Sequence, residues 1–312
     1  MTFVRGTGKI IEKAFRDAGD PRHAGAEKGH SMNIGIIADS CCDLTPALRR
    51  LLKVDIVSLT IDVDGKQHVD NETLDTKRLL AEMKAYKGAP ATACPSPEAY
   101  ADAMEQYDAC FVVTLSGKLS GSCNAARIGR EMLLERCPEK KIHVVDSESA
   151  SAGQTLLAML LRDRIDSGCA FETIAEEITA FVRRMQTRFV LEDLSNLVKN
   201  GRISRVAGLL GGALALRPIM GDDGHGGIVP IEKIRGTQNA MRRLVELIAD
   251  SLRAEKPASR QLVLSYCNCP ERAMALKKDL LEKCAALREV ILTPTSGIST
   301  VYAYDGGVVL AY

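Results

Sequence analysis

The chain has 312 residues, of which 46% are hydrophobic, and this is enough to bury one large domain or two ordinary ones. Its 41 basic and 40 acidic residues nearly cancel, and Trp is absent, so neither a strong electric field nor aromatic stacking favours nucleic acid as a partner. No apolar run approaches the ~20 residues needed to cross a bilayer, and the first residues have no signal-peptide core. We therefore expect a cytoplasmic protein without a transmembrane segment, for which transient contact with a membrane surface remains open.

The N-terminal half alternates strands with helices. Residues 1–32 show no sustained periodicity, and we predict a poorly structured extension there. From residue 33 the alternation of strands and helices favours a parallel sheet flanked by helices, with any ligand at the carboxyl ends of its strands. The predicted elements are a strand ending at Ala38, a helix from Pro46, a strand pair around Asp64-Gly65, helices at Asp75–Tyr86 and Glu98–Glu105, a strand at Cys110–Leu115, a helix from about Ser122, a strand at Ile142–Val145 and a helix from about Ala152.

A second block of elements follows Ser167-Gly168, so we place the domain boundary near residue 165, with domains at 33–165 and 166–312. Its hairpin is predicted from two apolar runs that flank a Gly- and Asp-rich turn. The predicted elements are a helix at Phe171–Met185, strands at Leu214–Met220 and Ile228–Ile234, a helix at Gln238–Ala254, a strand at Gln261–Tyr266, a helix at Glu271–Leu287, and strands at Glu289–Thr293 and Gly307–Ala311.

Catalytic and metal-binding signatures are scarce. The sequence contains no P-loop, no dinucleotide-binding glycine motif, no H-E-x-x-H and no G-x-S-x-G. The ten Cys form no C-x-x-C pair, and only five His are present, so we expect no metal and treat the Cys as small buried hydrophobic residues in a reducing compartment. Together these observations favour a binding protein over an enzyme.

Hydroxyl groups cluster where predicted strands end, at Ser40, at Thr114 to Ser122 and at Ser147 to Ser149. Free N–H groups at helix starts, together with neighbouring hydroxyls, favour a small anion. Ordinary capping of the helices is the competing interpretation for any one loop. Several such loops at one sheet edge favour an anionic ligand, but both interpretations remain open.

Several segments resemble the DegV family in the right order over residues 33–312. IGIIADSCCDLT is similar to the opening of DegV proteins, SGKLSGSCNAA to their Ser/Gly loop and VVDSESASAGQ to a later strand end. The strongest resemblance is LEDLSNLVKNGRISRVAGLLGGALALRPIM with DGHGGIVPIEKIRGTQNAM, and LSYCNCPERA resembles a further family stretch. The resemblance implies a fold of two α/β domains, the N-terminal one with a mainly parallel sheet and the C-terminal one with a mixed sheet, with the ligand between them.

The resemblance also implies a function: binding one long-chain fatty acid, with no other cofactor, and presenting its carboxylate to a separate ATP-binding fatty acid kinase subunit. Carried over by motif, the residues expected at the carboxylate are Thr60, Thr92, Ala93, Ser120, Gly121 and Tyr266. Ala93 stands where the family has Ser, and Tyr266 is aligned with a family His. Ala93 cannot donate a hydrogen bond and Tyr266 cannot become cationic, so the resemblance leaves the identity of the acid and its phosphorylation open.

The glycine-rich stretch after Arg202 is the expected wall of the tail tunnel. Small and flexible apolar residues suit such a wall, and the residues assigned to it are Leu209, Leu210, Gly212, Ala213 and Leu216. A closely packed core helix explains the same pattern equally well. For Arg202 we expect a role at the edge of the site or at the kinase interface, against the alternative of a solvated side chain.

Two other functions remain as alternatives. The chain could bind a different small lipid or carboxylate with no kinase role, which would fit the changes at Ala93 and Tyr266. It could also be a phosphotransfer enzyme of related fold, although no His lies in the strongest motifs.

Overall fold

The computed structural model describes residues 32–203, 216–254 and 259–312. The predicted extension at 1–32, apart from Met32, lies outside the described residues. The N-terminal part contains β1 (Ile34–Asp39), α1 (Pro46–Leu52), β2 (Val54–Val57), β3 (Thr60–Val63), β4 (Lys66–Val69), α2 (Thr76–Ala85), β5 (Ala91–Ala93), α3 (Pro97–Glu105), β6 (Ala109–Thr114), α4 (Ser122–Arg136), β7 (Lys141–Asp146) and α5 (Ala152–Asp166).

The C-terminal part begins with a helix and is built around a second sheet. It contains α6 (Phe171–Val182), β8 (Thr187–Val190), α7 (Ser195–Lys199), β9 (Leu216–Asp222), β10 (Ile228–Arg235), α8 (Thr237–Ala254), β11 (Gln261–Tyr266), α9 (Pro270–Lys283), β12 (Glu289–Pro294), α10 (Gly297–Ala303) and β13 (Val308–Ala311).

Four parallel strands form the N-terminal sheet in the order β2-β1-β6-β7. Successive side chains of a strand point to opposite faces, so Ile36 and Phe111 join the core under α5 and α6, while Ile37 and Val112 join the core under α3 and α4. A sheet that is apolar on both faces needs helices on both, and the alternating chain supplies them.

The C-terminal sheet has six strands in the order β10-β9-β8-β13-β11-β12, all antiparallel except the β11–β12 pair. The hairpin of β9 and β10 is the predicted one. A parallel sheet in the N-terminal part and a mixed sheet in the C-terminal part confirm the predicted fold class. The proposed boundary near residue 165 falls at the end of α5, whose side chains share one core with Ile36 of β1 and Val263 of β11.

A small third sheet, β4-β3-β5, differs from the prediction of a single strand pair. Its hairpin turn is at Asp64-Gly65 as predicted, and both residues have the positive φ (56° and 79°) that a tight two-residue hairpin turn requires. The segment before this turn, expected to be one strand, is divided into β2, which joins the parallel sheet, and β3, which pairs with β4 as predicted. The third strand of the small sheet, β5, has only three residues, too few for alternation to be detected in the sequence.

Three buried carboxylates of the N-terminal part hold loops in place. Asp39 accepts hydrogen bonds from the Leu115 N–H (2.8 Å) and the Gln154 amide (2.8 Å). Asp70 accepts the N–H groups of Gly297 (2.7 Å) and Ile298 (2.9 Å) at the start of α10. The bonds to Asp39 join β1 to the loop after β6 and to α5, and those to Asp70 join the segment after β4 of the small sheet to α10 of the C-terminal part.

Asp43 makes the same kind of connection. It accepts the Ser296 N–H at 2.7 Å, and the Ser151 hydroxyl donates to its second oxygen. Burial raises the pKa of Asp39, Asp43 and Asp70, because removing a carboxylate from water disfavours its charged form.

Candidate functional site

A cavity of about 320 Å³ lies where the two large sheets meet. Residues just beyond the carboxyl ends of all four parallel strands line it: Cys41 after β1, Leu59 after β2, Leu115 after β6 and Glu148 after β7. This is the edge at which the strand order of an open α/β sheet places ligands. The volume falls at the lower end of the range usual for small-molecule sites.

The C-terminal part supplies the facing wall. Thr187, Phe189 and Leu191 alternate along β8 and its end, so one face of this strand faces the cavity. Val309 of β13 pairs with Phe189 in register and also lines it. Apolar side chains from the helices complete this wall: Leu197 of α7, with Ile298 and Ala303 of α10.

One corner of the cavity is polar and cationic. The hydroxyls of Thr92 and Tyr302 are hydrogen-bonded to each other at 2.8 Å, and both residues line the cavity. The guanidinium carbon of Arg202 lies 5.9 Å from the centre of the Tyr302 ring, and its Nε donates to the Leu119 carbonyl at 3.1 Å. No carboxylate in the described ranges forms an ion pair with Arg202. We name Thr92, Tyr302 and Arg202 the hydroxyl–arginine corner.

A second set of polar side chains in the cavity wall includes carboxylates, and some of its members are hydrogen-bonded to one another. The hydroxyls of Ser149 and Thr187 are hydrogen-bonded at 2.7 Å, and the Thr187 N–H donates to Asp222 at 2.9 Å. Glu148 and Asp222 both line the cavity here. An anionic head group is repelled at these carboxylates and attracted at the hydroxyl–arginine corner.

The predicted site residues fall into three groups. Five of them line the cavity: Thr92, Ala93, Ser120, Gly121 and Arg202.

Thr60 and Tyr266 lie outside the set of described residues that line the cavity, although Thr60 pairs with Ala93 across β3 and β5. Leu216 begins β9, whereas the cavity is lined by Gly221 and Asp222 at the other end of that strand.

The remaining residues of the predicted tail tunnel, Leu209, Leu210, Gly212 and Ala213, lie outside the described residues.

Tyr302 is the residue of the corner that the sequence analysis did not name. It lies on α10, a seven-residue helix that was not predicted because its short β-branched stretch carries no helical periodicity. Ser296 before Gly297, a polar residue at a helix start, was the available signal. Phe189 was missed for a similar reason, since four-residue β8 follows charged residues that obscure it.

Several hydroxyls that suggested an anion site have other partners. Ser40 accepts the Leu59 N–H at 3.0 Å, and the Ser122 hydroxyl donates to Asp39 at 2.7 Å. Ser147 accepts the Ser149 N–H at 3.1 Å. For these three residues, holding the strand-end loops in place is the role that the geometry supports.

Within the described ranges, no group of three or more His, Cys, Asp or Glu is arranged to hold a metal ion. The helices described there include none with the length and apolar character of a membrane span.

The fold and cavity define an α/β protein with a mostly apolar cavity between two sheets, at the edge where such proteins bind ligands. The family model described as "Uncharacterised protein, DegV family COG1307" matches residues 33–312. A DegV domain-containing protein of Streptococcus pneumoniae is 36% identical over 281 residues, covering 89% of this chain and 98% of that protein. The chain therefore belongs to the DegV family, as its motifs indicated.

Two solved structures show what similar chains contain. A DegV family protein of Ruminococcus gnavus, refined with vaccenic acid, is 35% identical with a TM-score of 0.86, covering 90% of this chain and all of that one. The Streptococcus pneumoniae Fatty Acid Kinase (Fak) B3 protein, loaded with linoleic acid, is 35% identical with a TM-score of 0.80, covering 90% of this chain and 99% of that one. Both of these similar proteins hold a long-chain fatty acid.

Proposed function

We propose that this protein binds one long-chain fatty acid, with its tail in the cavity and its carboxylate at the hydroxyl–arginine corner. The observation that carries the proposal is an apolar cavity with a single cationic corner, whose two hydroxyls have only each other as hydrogen-bond partners among the described side chains. Each buried CH₂ of a tail contributes about 0.8 kcal/mol, so an apolar enclosure of this kind favours an aliphatic chain. Solved relatives that hold vaccenic and linoleic acid support the assignment.

The corner suits a carboxylate for chemical reasons. A carboxylate accepts several hydrogen bonds, and bonds from hydroxyls or a guanidinium to a charged acceptor are stronger than neutral ones. Tyr302 and Thr92 can turn their hydroxyl hydrogens from each other to an arriving anion, while Arg202 supplies a permanent positive charge. These three groups supply the donors that Ala93 does not.

The proposal includes presentation of the carboxylate to a separate ATP-binding kinase subunit, which forms the acyl phosphate. The similar Streptococcus pneumoniae protein named as a fatty acid kinase component supports this role. Within the described chain, the corner has hydroxyls and one cation but no His and no metal cluster for a phosphotransfer of its own. The chemistry is therefore assigned to the partner.

Lipid content and phosphorylation test the two parts separately. Protein purified from cells is analysed by native mass spectrometry and, after organic extraction, by lipid mass spectrometry; one fatty acid per chain is expected. Protein loaded with oleate is then incubated with ATP, with and without a fatty acid kinase ATP-binding subunit. Acyl phosphate is expected only in the mixture; product without the partner would favour a phosphotransfer enzyme, and lipid binding without product in either case would favour a carrier with no kinase role.

A further inference from the structure

The cavity has a second polar surface besides the hydroxyl–arginine corner. Glu148, Ser149 and Thr187 form it, all three line the cavity, and we name them the hydroxyl–glutamate patch. Ser149 and Thr187 are only 5% and 7% exposed, so their hydroxyls are withdrawn from bulk water. Hydroxyls in an apolar wall are costly unless they are hydrogen-bonded, and these two bond to each other at 2.7 Å.

The patch lies away from the corner at which the carboxylate is proposed to bind. Ser149 follows β7 on one side of the parallel sheet, whereas Thr92 belongs to the small sheet that continues from β2 on the other side. Three strand spacings separate β2 from β7, which is about 14 Å. Thr187 begins β8, and Leu191, beyond the other end of this strand, shares a core with Tyr302. A ligand whose carboxylate is at the corner therefore meets the patch with its tail.

The side chains of the patch have hydrogen-bonding capacity that the protein does not use. Glu148 is half-buried, and in the described ranges no hydrogen bond or ion pair joins its carboxylate to another residue. Among the described groups the Thr187 hydroxyl bonds only to Ser149, whose Oγ also lies 3.4 Å from the Ala150 carbonyl. Each hydroxyl has one hydrogen and two lone pairs, so the Ser149–Thr187 pair retains free acceptor positions.

The chemistry of the patch favours an alcohol as its ligand. Asp222, the neighbouring carboxylate, accepts the Thr187 N–H at 2.9 Å and is paired with Arg188 at 3.2 Å, whereas Glu148 has no cation beside it in the described chain. An unpaired carboxylate repels a second anion and accepts a strong hydrogen bond from an O–H group. An ammonium group donates but cannot accept from Ser149 or Thr187. An alcohol donates to a carboxylate and accepts from a hydroxyl, which are the two kinds of group that the patch presents.

We propose that the hydroxyl–glutamate patch binds a hydroxyl group carried on the tail, so that this protein selects a hydroxylated long-chain fatty acid over its unsubstituted analogue. The inference deepens the proposed function and rests on it. Glu148, Ser149 and Thr187 are then the residues that determine specificity for the tail. A tail without a hydroxyl leaves the patch with no new partner, and a hydroxyl at another position of the tail is buried against an apolar wall, which weakens binding.

Calorimetry with acids of one chain length tests the inference. Stearate, 2-hydroxystearate, 10-hydroxystearate and 12-hydroxystearate are titrated into delipidated full-length protein. The 10- or the 12-isomer is expected to bind at least threefold tighter than stearate, because its hydroxyl lies along the tail. The 2-isomer, whose hydroxyl is beside the carboxylate, is expected not to gain. A series in which neither the 10- nor the 12-isomer gains threefold overturns the inference.

Variants of the patch locate the effect. Thr187→Val removes one hydroxyl, and the preferred hydroxystearate is expected to bind about tenfold more weakly, while stearate binds about twofold tighter because the wall becomes more apolar. Glu148→Gln removes the charged acceptor, and the preference for the hydroxylated acid is expected to fall about fivefold. The matched control is Thr179→Val, since Thr179 is exposed on α6 and outside the described cavity lining, and it is expected to change neither affinity.

The outcomes separate this inference from the proposed function. An equal loss of stearate and hydroxystearate binding in Thr187→Val would give the hydroxyl pair a structural role and overturn the inference, as would an unchanged preference in both patch variants. Failure of the wild-type protein to bind stearate or any hydroxystearate would contradict the proposed function. Binding of stearate with no preference for a hydroxylated acid would leave that function in place and reject the inference alone.

Discussion

Tyr302 lies beside both other members of the hydroxyl–arginine corner. Its hydroxyl bonds to Thr92 of the small sheet, its ring lies near Arg202, and its own helix, α10, is held by Asp70. A side chain fixed from three directions presents its hydroxyl in one orientation, which is what recognition of a small anion requires.

Removal of this hydroxyl tests its role. Tyr302→Phe is expected to lower the affinity for oleate about tenfold, because an unpaired head-group oxygen costs roughly 1–3 kcal/mol. The matched control is Tyr266→Phe, since Tyr266 lies outside the described cavity lining. Calorimetric titration of both variants distinguishes the two tyrosines; a loss confined to Tyr266→Phe would restore that residue to the carboxylate site and contradict the role of Tyr302.

The sequence indicated which residues lie near the cavity better than it indicated which groups those residues bond to. The motifs assign Thr92, Ala93 and Arg202 to one site, and the structure places all three in the lining of one cavity, because strand-end loops converge wherever parallel strands end. They did not indicate that Ser40 and Ser122 are used to hold loops, since a hydroxyl that caps a loop and one that binds a ligand look alike in sequence. The expected roles of Thr60 and Tyr266 at the carboxylate remain predictions.

At the scale of elements, α10 depends on a carboxylate from the other part of the molecule. The pKa of Asp70 is raised to about 6 by burial, against the opposing effect of hydrogen bonds from the N–H groups of Ile298 and Gly297, and nearby Asp43 raises it further. The folded protein therefore binds this proton more tightly than the unfolded chain, in which the pKa is near 4.

Ionisation of Asp70 is accordingly expected to lower the free energy of unfolding as pH rises from about 4 to 7. A shift of about two pKa units corresponds to about 3 kcal/mol. Asp70→Asn lacks this titration, so the stability of the variant relative to wild type is expected to increase by about that amount over the same range. Urea unfolding at several pH values measures it, and a difference that does not vary with pH would show that Asp70 titrates normally.

The tip of the β9–β10 hairpin rests on the N-terminal part. The Ser116 hydroxyl donates to the Gly226 carbonyl at 2.7 Å, and Gly226 also lines the cavity. Gly226 has a φ of +81°, and a side chain added there would overlap the Ser116 hydroxyl and approach Glu148 Cα to 3.0 Å. This position therefore accepts only glycine without displacing the loops around the site.

Two alanine variants distinguish the cost of backbone strain at a glycine of positive φ from the cost of steric overlap with the N-terminal part. Gly224→Ala tests strain alone, because φ is +78° and nothing lies within 4 Å, and it is expected to cost about 1 kcal/mol of stability. Gly226→Ala adds overlap, and a further loss of about 1–3 kcal/mol is expected together with weaker oleate binding. Chemical denaturation and calorimetry provide the comparison; equal effects of the two substitutions would mean that the hairpin tip is not in contact.

Elements were predicted where they are long and periodic. Helices such as α4 and α8 and strands β1, β6 and β7 agree with their patterns, because an apolar period of 3.6 residues or an uninterrupted apolar run extends over many residues. Four short elements were not predicted, since tertiary contacts stabilise three- to seven-residue segments whose own sequence is ambiguous. These are β5, β8, α7 and α10.

At the scale of the whole molecule, the cavity is lined from both large sheets, and no single element forms it. Affinity for saturated acids is expected to rise about fourfold for each added CH₂ between eight carbons and the length that fills the cavity, because each buried CH₂ contributes about 0.8 kcal/mol. Beyond that length, affinity is expected to level off. Titration with acids of 8 to 18 carbons measures the limit; a series without length dependence would contradict binding of the tail in the cavity.

The contact between Ser116 and the hairpin tip also has a kinetic consequence. Because Gly226, Gly227 and Ile228 line the cavity and Gly226 is bonded to Ser116, we expect a bound tail to leave more slowly while this contact is intact. Residence time is then expected to depend on how often this contact opens as well as on the strength of head-group binding. We expect a slowly opening contact to protect a bound tail from loss during diffusion and to make its release depend on movement of the hairpin.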